Sequence, residues 1–138
     1  MVAPVVVKAV RFMLQSEIDV VTARRAVTDW ARDMGLSALD RTKAVTAASE
    51  LARNTVVYGR GGVMSLEAVR DGSRVGLRLT FEDKGPGIPD IDRALQDGFS
   101  TGGGMGLGLP GARRLMNEFE LASAAGVGTR VSVVKWKP

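Results

Sequence analysis

Residues 81 to 90 read FEDKGPGIPD. Two kinds of chain meet there. Up to Phe81, Val75, Leu77, Leu79 and Phe81 fall at every second position, the period of a strand with one buried face. After it, Gly85-Pro86-Gly87 turns the chain sharply away. Asp83 is left at the strand's end, beside the turn.

Towards the N-terminus, Val63 to Arg70 also alternates, and Asp71-Gly72-Ser73 joins the two runs as a hairpin. Two helices precede it. Ser16 is a good N-cap with Glu17 and Asp19 in the first turn, and Val20, Ala23, Val27, Trp30 and Ala31 recur at helical spacing until Gly35. A second helix runs from Ser37 or Asp40 to Tyr58, with Ala44, Ala47, Ala48, Leu51 and Thr55 as a small-residue face and Gly59 as its stop. The apolar stretch Val5 to Leu14 reads as a first strand.

Towards the C-terminus a long loop holds a short helix near Asp90 to Gln96. A further helix starts at Pro110 and continues through ARRLMNEF, residues 112–119. Glu120 to Ala125 and Thr129 to Trp136 flank the turn AGVG as a closing hairpin. The order β-α-α-β-β-loop-α-β-β predicts an α+β two-layer sandwich: a mixed, mostly antiparallel sheet covered on one face by helices. The 138 residues form one domain, 1–138, without repeats or linkers.

Composition removes several chemistries. The chain has no Cys and no His, which excludes disulfides, thiolate chemistry, a Ser-His-Asp triad, histidine metal ligation and phosphorylation of an internal histidine. The net charge is +4, but the basic residues are scattered and aromatics make up 5%, so no nucleic-acid partner is expected. The start, MVAPVVVKAVRFML, is interrupted by Lys8 and Arg11 and does not read as a signal peptide. No apolar run is long enough to cross a membrane. A cytoplasmic protein is the expectation.

Three motifs remain. The first is the loop QDGFSTGGGMGLGLPG, residues 96–111, with glycine at five of the seven positions from Gly102 to Gly108. Such loops let backbone N–H groups crowd a phosphate, and a following helix adds its positive end. A P-loop needs a Lys-Ser/Thr pair after the last glycine, and Leu109-Pro110 stands there instead. The letters of a dinucleotide fingerprint occur at Gly106, Gly108 and Gly111, but no strand precedes them and no acidic residue lies about 20 positions on. A protein-kinase glycine loop fails too, because no H-R-D or D-F-G follows.

The second motif is ELARN, residues 50–54. Four residues turn a helix by about 400°, so Glu50 and Asn54 lie one above the other. Asn54 can offer a neutral oxygen to a hard cation such as magnesium, and Glu50 can accept a proton from a hydroxyl. Equally, Glu50 can pair with Arg53 on the helix surface. The third is Asp83, whose carboxylate can accept a hydrogen bond from the exocyclic amine of adenine or cap its own turn.

Taken in order, E-x-x-x-N on a helix, D-x-G-x-G after a strand, a G-x-G-x-G loop running into a helix, and Gly128-Thr129 near the end resemble the GHKL (Bergerat) nucleotide-binding family. The resemblance runs from about residue 16 to the C-terminus. It is nearest to the switch-protein serine/threonine kinases of the bacterial general stress response, in ELARN, EDKGPGIPD, QDGFSTGGGMGLGLPGARRLMNEF and GVGT.

The resemblance implies ATP/ADP and Mg2+ as cofactors. It makes Asn54 the magnesium ligand, Glu50 the general base and Asp83 the adenine reader. Gly85, Gly87 and Ile88 would lie close to the base, and Thr129 would support it through water. Ser100 to Gly108 would form a lid over the phosphates, with Ser100, Thr101, Gly102, Gly104, Gly106, Leu107 and Gly108 as binding residues. No Lys or Arg lies between Ala94 and Ala112, so backbone N–H groups, magnesium and a helix end would carry the phosphate charge. The implied function is phosphorylation of STAS-domain stressosome proteins on serine or threonine, and the resemblance also implies direct activation of a downstream phosphatase. The alternative is an anti-sigma factor with kinase activity that sequesters a sigma subunit.

Overall fold

The computed structural model describes residues 3–96 and 108–138. Its elements are β1 Val5–Leu14, α1 Glu17–Met34, α2 Ala38–Val57, β2 Gly62–Asp71, β3 Arg74–Asp83, α3 Ile91–Ala94, α4 Leu109–Leu115, β4 Glu118–Ala124 and β5 Gly128–Trp136. The five strands form one sheet in the order β1-β2-β3-β5-β4, and all four pairings are antiparallel. Helices α1 and α2 pack on each other and on one face of the sheet, and α4 packs on α2. The expected two-layer α+β sandwich is therefore present.

Local chemistry sets the helix ends. The Gln15 and Ser16 backbone N–H groups donate to Asp19 Oδ2 at 2.8 and 3.2 Å and close the start of α1. Gly35 ends it in the left-handed conformation, φ 85. Ser37 Oγ then accepts the Asp40 N–H at 3.1 Å and starts α2. The buried face of α2 is Ala44, Ala47, Ala48, Leu51, Ala52 and Thr55. Small side chains let this helix lie close to both α1 and the sheet. They meet Leu14, Met64, Leu66, Leu77, Leu79, Phe81, Val131 and Val133 from the strands in one core. Its burial is the main stabilising term, at about 25 cal/mol per Å² of apolar surface.

The other sheet face is largely polar. Arg78 Nε donates to Glu67 Oε1 at 2.7 Å, and the buried hydroxyls of Thr80 and Ser132 face each other. A small apolar cluster of Val69, Val134 and Trp136 covers one end.

Two expectations need correcting. The helix beginning at Pro110 does not continue through ARRLMNEF; it ends at Leu115, and Glu118 and Phe119 belong to β4. The closing hairpin accordingly starts two residues before Glu120. Asn117 is the reason. Its N–H donates to Val134 O at 2.9 Å and its Oδ1 accepts the Trp136 N–H at 2.7 Å. These bonds draw the chain onto β5, so Met116 is already extended at φ −107, ψ 159.

Lys135 gave no sequence signal and is 5% exposed. Its ammonium donates to Leu115 O, the end of α4, at 2.9 Å and lies 3.6 Å from Asp40 Oδ1 near the start of α2. Removing it strands a half-buried carboxylate and a helix-end carbonyl. We expect Lys135→Ala to lose about 2–4 kcal/mol of stability in a urea titration. Adding Asp40→Asn should return part of that loss, because it removes the stranded charge.

Candidate functional site

The register of the sheet builds the site. Gly62 of β2 pairs with Asp83 of β3, Asp83 pairs with Thr129 of β5, and Thr129 pairs with Ser123 of β4. Residues scattered from 62 to 129 thus form one row across four strands, at the end where α2 terminates. A cavity of about 290 Å³ opens beside this row. Asn54, Asp83, Gly87, Ile88 and Thr129 all line it, with Leu51, Phe81 and Val131 as its apolar floor and Leu109 from the start of α4. That is near the lower end of small-molecule pockets, roughly 300–1,000 Å³, with few polar groups on an apolar wall.

Asp83 is held by close backbone approach. A Cβ on Gly59 would lie 2.5 Å from the Asp83 carboxyl carbon, and one on Gly85 would lie 2.9 Å from Gly59 Cα. Only with glycine at both positions can the end of α2 rest on the aspartate and its turn. The Gly85 N–H donates to Asp83 Oδ1 at 2.8 Å, so one oxygen does cap its own turn. That bond orients the carboxylate, and among the described residues Oδ2 accepts no hydrogen bond. The two readings of Asp83 are therefore compatible.

Thr129 is fixed by Ser123, which sequence reasoning did not single out. Ser123 Oγ accepts the Ile88 N–H at 2.7 Å, lies 3.0 Å from its acceptor Gly128 O, and is 2.9 Å from Thr129 Oγ1. One hydroxyl ties the loop after β3 to the last hairpin. The available signal was its place opposite Thr129 across the AGVG turn. Gly87, at φ 79, passes so close to Ala124 O that a Cβ would stand 2.3 Å from it.

Glu50 and Asn54 do share a face of α2, but only Asn54 lines the cavity among the described residues. Glu50 stands at the rim. Its Oε1 is 3.9 Å from Arg53 Nη1, and Arg53 also reaches Glu17 at 3.7 Å, so the surface pair exists. Such exposed pairs contribute roughly 0–1 kcal/mol and do not tie the carboxylate down. Its Oε2 lies 2.9 Å from where a Cβ on Gly108 would be, so it faces the cap of α4, where the glycine loop returns. Gly108 takes φ 71 there. The expected phosphate-binding residues Ser100, Thr101, Gly102, Gly104, Gly106 and Leu107 lie outside the described residues.

A family model described as a histidine kinase-like ATPase domain matches residues 14–135. The chain belongs to that family. Its residues Asn54, Asp83 and Thr129 accordingly converge on one cavity in a nucleotide-handling fold. The chain is 46% identical over 123 residues to the serine/threonine-protein kinase RsbT of Bacillus subtilis (strain 168), covering 89% of this chain and 92% of that one. It is 28% identical over 120 residues to the anti-sigma F factor of Thermoanaerobacter sp. (strain X514), covering 83% and 82%.

Solved structures show the same fold. The crystal structure of the RsbU and RsbW domains of a Mycobacterium tuberculosis protein superposes with TM-score 0.61 at 19% identity. That match takes in 95% of this chain and 33% of the other, so this chain spans about a third of it. The catalytic domain of the histidine kinase ThkA superposes with TM-score 0.54 at 16% identity over 94% of this chain and 96% of that one. Among the described residues no helix is long and apolar enough to cross a membrane.

Proposed function

We propose that this chain is an ATP-dependent serine/threonine protein kinase of a partner-switching stress pathway. The observation that carries the reading is the 46% identity to RsbT across 92% of that kinase. The cavity lined by Asn54, Asp83 and Thr129 supports it.

In this reading Asp83 Oδ2 accepts the adenine amine, while Thr129, held by Ser123, supports the ring from the neighbouring strand. Gly85, Gly87 and Ile88 let the base approach the turn. Asn54 stands on the α2 wall, between the base end and Glu50, where phosphates would lie. Among the described residues no three carboxylates come together to hold a metal unaided. That donor set fits a magnesium ion that arrives with the phosphates and takes one protein oxygen, from Asn54. When bound, the ion neutralises phosphate charge.

Glu50 accepts the proton of a substrate serine or threonine hydroxyl. The hydroxyl oxygen bonds to the γ-phosphorus as the bond to the β-phosphate oxygen breaks, and ADP leaves. Phosphoryl transfer needs positioning and charge neutralisation more than covalent help. In the same reading Ser100, Thr101, Gly102, Gly104, Gly106, Leu107 and Gly108 of the glycine loop supply the phosphate contacts.

The substrate class is a STAS-domain protein, and a regulatory phosphatase is the further partner, engaged by direct binding. The reading places all of them in the cytoplasm. The alternative, an anti-sigma factor, fits less well, because identity to the Thermoanaerobacter anti-sigma F factor is 28% over a similar span. The experiment is radiolabelled ATP with a STAS-domain partner. Label on a serine or threonine of the partner is expected, and no transfer would sink the kinase reading. A sigma subunit captured in its place would favour the alternative.

Ser123→Ala tests the frame of the site. It removes the acceptor for the Ile88 N–H and the partner of Thr129. Losing that bond costs about 1–2 kcal/mol, so the ADP dissociation constant should rise roughly 5- to 30-fold by calorimetry.

A further inference from the structure

We infer that Arg60 closes the base end of the cavity, with its guanidinium laid against the face of the bound purine; this rests on the nucleotide reading above. Arg60 is the one non-glycine residue at positive φ among the described residues, at 61. A Cβ is disfavoured in that conformation, and helix ends commonly place glycine there. Glycines stand on either side, at Gly59 and Gly61, so the arginine is the exception in its own turn.

Hydrogen bonds hold it in place. The Tyr58 and Gly59 N–H groups both donate to Asn54 O, at 2.9 and 3.0 Å, and the Gly61 N–H donates to Thr55 O at 2.9 Å. A strained residue kept by its surroundings is a pointer to function. Arg60 lines the cavity and is exposed, and among the described residues its guanidinium has no hydrogen-bond or ion-pair partner.

Its place selects the base over the phosphates. Gly59, the preceding residue, abuts the Asp83 carboxylate. Glu50 and the cap of α4 at Gly108 mark the other end, and from Glu50 to Val57 alone the helix rises about 10 Å. The chemistry also fits. A guanidinium is planar and weakly hydrated, so it stacks on aromatic faces better than an ammonium does.

The test compares the full chain with Arg60→Gly and Arg60→Lys, using ADP and adenosine as probes. Arg60→Gly suits the backbone and should melt no lower than the parent. Its dissociation constants for ADP and adenosine should rise by the same factor, fivefold or more. Arg60→Lys should recover little, because it keeps the charge without the plane. Unchanged ADP affinity, a loss seen with ADP alone, or full recovery by lysine would each overturn the inference. Asp83→Asn serves as the reference. If only Arg60→Gly is silent, Arg60 has no such role and the cavity reading stands. If Asp83→Asn is silent as well, the nucleotide reading of the cavity falls with it.

Discussion

Glu50→Ala should lower the rate of phosphoryl transfer by about 100- to 10,000-fold, the range for losing a positioned general base. ADP affinity should stay close to that of the parent, because Glu50 stands at the rim beside Gly108 rather than in the cavity wall. Single-turnover transfer and calorimetry on the same protein separate the two effects. Asn54→Ala should abolish transfer by a different route. The parent should bind ADP more tightly with magnesium than with a chelator, and the variant should show no such difference. If Asn54→Ala keeps a full magnesium effect, the ion is held elsewhere. If Glu50→Ala transfers phosphate at the parent rate, the base is another group. Glu50→Gln should resemble the alanine variant, since it keeps the shape without the basicity.

The largest effect on stability is expected from Gly128→Ala. Gly128 takes φ 139, and a Cβ there would stand 2.1 Å from Asp83 O and 2.9 Å from Lys84 Cα. Neither neighbour can yield, because Asp83 is a rung of the β3–β5 ladder opposite Thr129. Backbone strain of roughly 1–3 kcal/mol and overpacking of a similar size point to a loss of about 3–5 kcal/mol. A domain's whole stability is about 5–15 kcal/mol, so much of the protein would unfold near body temperature. Urea titration should show a lower midpoint with an unchanged slope. The molecules that remain folded should bind ADP weakly, because relief of the clash moves Asp83. A variant with parent-like stability would mean the two strands can separate freely at this end. Gly126→Ala separates the two terms: at φ 76 it carries backbone strain of roughly 1–3 kcal/mol, but nothing lies within 4 Å of its Cβ position, so its loss should be clearly smaller than that of Gly128→Ala.

Much of the candidate site is legible in the sequence because its motifs sit at element boundaries. Glu50 and Asn54 are a helical turn apart, and helical spacing is local. Asp83 ends an alternating run next to Gly-Pro-Gly, and a strand end is also local. Local pattern does not reach the places where non-local bonds decide. Helical spacing runs four residues past Leu115 because ARRLMNEF has no breaker, whereas the stop comes from Asn117 bonding to Val134 and Trp136. Lys135 looks like an ordinary surface lysine near the C-terminus until Leu115 O and Asp40 are found around it. Ser123 has no motif of its own and matters only through Ile88, Gly128 and Thr129.

The amino-acid sequence by itself determined the α+β class, the strand and helix order, the excluded chemistries and the ordered Glu50, Asn54, Asp83 and Thr129 pattern. These follow from local periodicity, from residue types that are absent, and from spacing within single elements. The tertiary structure alone decided that Asp83, Thr129 and Ser123 stand in one row, that Gly59 and Gly128 are close-approach positions, and that Glu50 stands at the rim while Asn54 lines the wall. It alone showed that Arg60 occupies a left-handed turn at the cavity. The reason is physical: strand register and backbone contact join residues dozens of positions apart, and no local pattern in the chain carries that distance.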